Sequence, residues 1–320
     1  MIQNLVDPVI LFFIIGIIAG LLKTDLKLPE AIYDALSIYL LLAIGYKGGI
    51  ELSKSDLTNL FIPVSATILL GVVIPIIAYF ILQKIGKFSN PDSAAIAAHY
   101  GSVSAVTFAV AIDFLNNAGI AKDEFMTVLL VMLEIPAIAI GILLAKSKSS
   151  DNTFAAGEVV REVFLGKSIY LLLGGLAVGY FAGGYGNKSI NILFVDMFRG
   201  FLAFFLLEMG IIAAKRLGDF KKVGPFLIAF GVLMPLLSSV FGIIAGVLSG
   251  LTQGGTFVLA CMAASASYIA APTAMRIAVP EANPTYYITT SLGITFPFNI
   301  IFGISLYYSL TNFVYNVLLK

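Results

Sequence analysis

Two short stretches of the chain carry small hydroxylated residues where an apolar run would otherwise continue. The first reads His99-Tyr100-Gly101-Ser102-Val103-Ser104-Ala105-Val106-Thr107, and the second Ser265-Ala266-Ser267-Tyr268-Ile269-Ala270-Ala271-Pro272-Thr273. Pro272 removes one backbone donor, and a Ser-x-Ser pair suits an unwound turn whose hydroxyls replace lost helix bonds. A helix broken inside a membrane exposes N–H groups from one half and carbonyls from the other. The first can hold an anion and the second a small hard cation. The anion-binding set expected on this ground is Gly101, Ser102, Ser104, Thr107, Ser265 and Ser267. The competing use of the same residues is close helix packing, for which Ser, Gly and Ala are common in membranes.

Ionisable side chains inside apolar runs are costly and therefore candidates for function. Glu134 stands in the middle of one such run, beside Pro136. The cation-binding set expected is Glu134, Thr295 and Asn299, all oxygen donors, with Na⁺ bound near Glu134 or a proton relayed there. His99 reads as a hydrogen-bonded structural residue, Asp196 and Arg199 as an i,i+3 pair on one helix face, Glu208 as a helix-end charge and Cys261 as core. Gly166-Lys167-Ser168 has the tail of a phosphate loop, but Arg161 occupies the upstream glycine position, so no ATPase motor is expected. His99 and Ser102, three apart, would mimic a Ser-His intramembrane hydrolase. That reading leaves the second Ser-x-Ser unexplained. A channel lined by small polar residues is a further alternative.

The elements that must position these residues are membrane helices. Of 320 residues 59% are hydrophobic and 12% charged, with a mean hydropathy of +1.00, far from a soluble enzyme. A net charge of +1 offers no basic field for nucleic acid, and one cysteine with one histidine offers no zinc or haem site. No cofactor is expected beyond Na⁺ as a coupling ion. Ten apolar runs approach the roughly 20 residues that cross about 30 Å of hydrocarbon. They are 8–22, 31–46, 61–83, 93–115, 125–145, 165–182, 192–214, 224–248, 256–278 and 284–308. With no Lys or Arg ahead of the first run, it is expected to stay as a helix and not to be a cleaved signal.

Loops one, three, five, seven and nine hold thirteen of the 19 Lys and Arg, which places them in the cytoplasm and both termini outside a plasma (inner) membrane. The chain also repeats itself. Pro75 matches Pro235, Ser102-Val103-Ser104 matches Ser265-Ala266-Ser267, Glu134-Ile135-Pro136 matches Thr295-Phe296-Pro297, and Ile44-Gly45 matches Met209-Gly210, all about 160 residues apart. Five spans per copy invert the second copy. The expected organisation is therefore an all-α membrane protein of two inverted five-helix repeats, 1–146 and 164–320, with broken helices four and nine crossing. Residues 147–163 form a cytoplasmic linker. GIIAG at Gly16 to Gly20 and at Gly242 to Gly246 is expected to serve packing.

Residues 262–272 (MAASASYIAAP), 280–287 (PEANPTYY) and 294–299 (ITFPFN) resemble the sodium-dependent bicarbonate transporter family of cyanobacteria, with weaker similarity over 101–107 and 134–136. The resemblance implies Na⁺-coupled bicarbonate symport through a fold similar to Na⁺/H⁺ antiporters and bile-acid symporters. There, spans three to five and eight to ten form a core that moves like an elevator, and spans one, two, six and seven form a gate that assembles as a trimer. It also implies a nucleotide-sensing regulator related to PII proteins. Two departures stand out: Ser104-Ala105-Val106-Thr107 replaces the family's Ser-Gly-Ser-Thr, and Glu134 replaces its Asp. The identity of the anion, and Na⁺ against H⁺ as coupling ion, stay open at this point.

Overall fold

A computed structural model describes residues 7–26, 28–147, 165–182 and 188–318. Residues 148–163 of the expected linker and both chain ends lie outside the described residues. Helices account for the architecture, and no strand occurs among the described residues. We number the main ones α1 (Pro8–Leu21), α2 (Glu30–Leu52), α3 (Phe61–Lys84), α4 (Asn90–Gly101), α5 (Ala105–Ala118), α6 (Met126–Lys146), α7 (Lys167–Ala182), α8 (Phe198–Leu217), α9 (Phe220–Leu248), α10 (Gln253–Ala263), α11 (Ala270–Ala278) and α12 (Pro284–Val317). Among the described residues, six segments are long and apolar enough to cross a membrane: α2, α3, α4 with α5, α6, α9 and α12. Three more, α1, α7 and α10, are apolar but shorter.

Local sequence explains where these helices start and stop. Asp7 caps α1 by accepting from the Val9 N–H at 2.8 Å, ahead of Pro8 in the first turn. Ser89 caps α4 and Ser104 caps α5, each accepting from a backbone N–H three residues on. Gly224, at φ 76°, breaks α9 so that its apolar stretch begins at Pro225, as the sequence reading of 224–248 expects. In α12 the hydrogen-bond ladder widens to π geometry over Thr289–Thr295 and Asn299–Gly303, on either side of Pro297, which contributes no donor.

Packing divides the helices into two groups. In the first, α1 lies along α8 and α2 along α7; in the second, α3, α4 and α6 pack together, as do α9, α10 and α12. The first group is seamed by glycine. A Cβ on Gly16 would strike the backbone at Leu207 and Gly210, and one on Gly45 would strike the backbone at Leu172 and Gly175. A Cβ on Gly242 would strike the Ala260 backbone and one on Gly246 the Thr256 side chain, so both GIIAG segments serve packing. The contacts are also reciprocal: α5 meets α10, α4 meets α11, and α3 meets α9.

Three expectations are corrected. Lys47, read as a loop residue, lies inside α2 with its ammonium 4.4 Å from the centre of the Phe198 ring. Arg199 does not pair with Asp196. The backbone between them changes from π to α geometry at Met197, and the guanidinium instead bonds Asp7 at 2.6 Å and Asp113 at 3.2 Å. Glu208 is a buried mid-helix residue whose carboxylate accepts from the Leu28 N–H at 3.3 Å.

Candidate functional site

The apolar runs expected at 93–115 and 256–278 are each two helices. The α4 ladder ends at Gly101 and α5 begins at Ala105, leaving Ser102, Val103 and Ser104 extended or turning between them. The α10 ladder ends at Ala263 and α11 begins at Ala270, leaving 264–269 unwound. The two breaks are bonded to each other. The Ser104 N–H donates to Ser265 Oγ at 2.8 Å, and the Ser267 N–H donates to the His99 carbonyl at 2.8 Å. Ser265 Oγ in turn donates to the Met262 carbonyl at 2.8 Å. These bonds satisfy groups that a helix end buried in apolar surroundings would otherwise leave costly.

All six residues expected to bind an anion lie at this crossing and are buried. Their hydrogen-bond states differ. Ser104 and Ser267 cap the half-helices that follow them, accepting from the Thr107 N–H at 3.1 Å and the Ala271 N–H at 3.2 Å. Ser102 Oγ and Thr107 Oγ1 are fully enclosed and have no hydrogen-bond partner among the described residues. Gly101 is required by packing, since a Cβ there would lie 2.6 Å from the Pro75 ring. No Lys or Arg reaches the crossing among the described contacts. A buried hydroxyl without a partner is costly, so these two hydroxyls and the N-terminal turns of α5 and α11 are groups poised for a ligand that accepts hydrogen bonds.

Glu134 lines a small cavity of ≈ 10 Å³ together with Ser104, Ala105, Ser267 and Tyr268, which come from the N-terminal ends of α5 and α11. That volume suits one water-sized species. Glu134 makes no hydrogen bond or ion pair among the described residues and is 4% exposed. Thr295 and Asn299 lie elsewhere. Thr295 Oγ1 donates to the Gly231 carbonyl at 2.7 Å and accepts from the Tyr100 hydroxyl at 2.5 Å. Asn299 uses its amide to hold the freed Ala264 carbonyl at 2.9 Å, and its oxygen accepts from the Tyr307 hydroxyl at 2.7 Å. Of the three residues expected to bind a cation, only Glu134 lines this cavity.

His99 is structural in its contacts: Nδ1 lies 2.6 Å from the Ala95 carbonyl and the ring stacks on Tyr287 at 4.6 Å. Its Nε2 and Ser102 Oγ are both unpartnered, so the two do not bond to each other, and the hydrolase arrangement is absent. The helix ends between them, which removes the i,i+3 geometry that reading needed. Cys261 is fully buried in the core.

Sequence reasoning missed Ser168, from α7, in the Glu134 cavity, and the ion-pair cluster of Asp7, Asp113, Asn117 and Arg199. Asp7, Asp113 and Asn117 of this cluster line a vestibule of ≈ 460 Å³ between α1, α5 and α12. Neither has a signal in residue spacing, because each joins residues from separate elements that meet only in the fold.

The family model described as the Na⁺-dependent bicarbonate transporter superfamily matches residues 8–312 of the chain. No curated protein sequence matches it.

Proposed function

The chain belongs to the Na⁺-dependent bicarbonate transporter superfamily, and from that premise we propose that it is a Na⁺-coupled symporter importing bicarbonate across the plasma membrane. Membership and helices long enough to cross a bilayer make it a membrane transporter with a small anion as substrate. The observation that carries the finer reading is the bonded pair of helix breaks, where the enclosed hydroxyls of Ser102, Thr107 and Tyr268 lack partners and, among the described residues, no cationic side chain is in contact. Such a site stabilises a monovalent anion with dipoles, and it needs a cation nearby to complete the charge balance. Glu134, unpaired beside the N-terminal ends of α5 and α11, is the oxygen ligand for that cation.

The reciprocal contacts between the chain's halves support ten spans in two inverted repeats. The groups α1, α2, α7, α8 and α3 to α6 with α9 to α12 then serve as gate and core. The glycine seams hold the gate together, while the two helix breaks and Glu134 belong to the core, which suits an elevator movement. A wide vestibule at the Asp7 end and a cavity of only ≈ 10 Å³ at Glu134 support a conformation open toward the outside. The exposed apolar faces of the gate, such as Phe181 and Val178, suit lipid or a gate-mediated oligomer.

The test is uptake of labelled bicarbonate into proteoliposomes with and without an inward Na⁺ gradient. Accumulation above the external concentration, driven by Na⁺, is expected of a symporter. Equilibration without accumulation would make the protein a channel, and accumulation driven by a proton gradient alone would replace the coupling ion. Formate and nitrate as competitors define how narrowly the anion is selected.

A further inference from the structure

The motif Gly166-Lys167-Ser168, which the sequence reading left without a function, lies against the site. Ser168 is buried and lines the ≈ 10 Å³ cavity of Glu134, Ser104 and Ser267. It also lines an adjoining cavity of ≈ 60 Å³, walled by Gly166, Lys167, Ile269, Thr273 and Ile138. Ser168 and Ile269 line both cavities, so the packing seam between α7 and α11 carries one cavity at the crossing and the next beside Lys167. Lys167 itself is half-exposed and bonds Asp34 of α2 at 3.1 Å.

The repeat offset assigns this seam a counterpart. The start of α7 corresponds to the start of α1, and α11 corresponds to α5, which together wall the ≈ 460 Å³ vestibule at the other end of the molecule. The same interface is therefore wide at one end and nearly shut at the other. Inverted repeats exchange such conformations during alternating access, so the seam at α7 is the interface that opens when the vestibule closes. Resting on the transporter reading, we propose that this seam is the inner release route for the anion, with Ser168 as a gate-side hydroxyl contacting it and Lys167 as the cation that draws it out. A half-exposed ammonium at a narrow mouth concentrates small anions locally, whereas the crossing itself has no fixed positive charge.

The experiment uses the full chain carrying Ser168→Cys, in inside-out vesicles; Cys261 is buried and gives no competing reaction. Anionic and cationic methanethiosulfonate reagents of similar size are compared. The expected result is faster modification by the anionic reagent, a severalfold loss of that preference when Lys167→Gln is added, and slower modification in the presence of Na⁺ with bicarbonate. In parallel, Lys167→Gln is expected to slow bicarbonate exchange at the inner face while leaving the external Na⁺ half-saturation unchanged, with Lys167→Arg restoring the rate. Asp34→Asn separates charge from structure, because it removes the ion pair and keeps the ammonium. If Asp34→Asn reproduces the Lys167→Gln defect, or if Ser168→Cys reacts without charge preference, the release route is overturned. Loss of Na⁺-driven uptake in the unmodified protein would instead overturn the transporter reading.

Discussion

The backbone N–H of Ser104 donates to the side-chain hydroxyl of Ser265 at 2.8 Å, joining two helix breaks 161 residues apart in the chain. The bond makes the two halves of the site one unit. Ser265→Ala leaves the Ser104 N–H buried without its partner, a change of about 1 to 3 kcal/mol. Melting in detergent is expected to fall accordingly and uptake to drop with it. Unchanged melting would show that Ser104 finds another acceptor and that the breaks are not mutually dependent.

Glu134→Gln keeps the shape of the cavity and removes one charge. A hard cation loses its only carboxylate ligand there, and the Na⁺ half-saturation for uptake is expected to rise by an order of magnitude or more in a protein that melts no lower than the original. Transport that keeps its original Na⁺ dependence would return Glu134 to a structural role.

The sequence made the chemistry of the crossing legible because small hydroxylated residues interrupt apolar runs at matching repeat positions. It also placed Gly45 and Gly210 as counterparts, and both prove to be sites of close backbone approach. What could not be read is whatever depends on side chains meeting across helices. Arg199 had Asp196 within reach on paper, and only the π-to-α change at Met197 aims it at Asp7 and Asp113. Asn299 looked like an oxygen donor for a cation, yet its amide is spent on the Ala264 carbonyl, a group freed only because α10 ends there. Ser168 is adjacent to the site through packing alone.

Arg199 links α8 to Asp7 ahead of α1 and to Asp113 in α5, so it ties the gate to the core at the vestibule. The guanidinium is 44% exposed. An exposed pair contributes about 0.2 to 1 kcal/mol, so Arg199→Gln is expected to shift the balance between outward- and inward-open forms by roughly 1.4- to fivefold without unfolding the protein. The rate of modification of Ser168→Cys from the inner side reads this shift directly, and an increase is expected. No change would confine Arg199 to the gate.

The distribution of Lys and Arg gives the expected orientation, with both termini outside. Ser53, exposed after α2, and Ser147, exposed after α6, lie at opposite ends of the bundle. A cysteine at Ser53 is expected to label only from outside and one at Ser147 only from the cytoplasm. Labelling of both from one side would contradict the inverted five-helix arrangement.

In the proposed single site, dipoles hold the anion and a neighbouring cation completes the charge. Linkage then requires each ligand to raise the affinity of the other by the same factor. Isothermal titration of the purified protein with bicarbonate at a series of Na⁺ concentrations, and with Na⁺ at a series of bicarbonate concentrations, measures both factors. The two factors are expected to be equal and greater than one, and Ser104→Ala and Ser267→Ala each to weaken bicarbonate binding. Bicarbonate binding that is independent of Na⁺, or undiminished in both alanine variants, would contradict the single site.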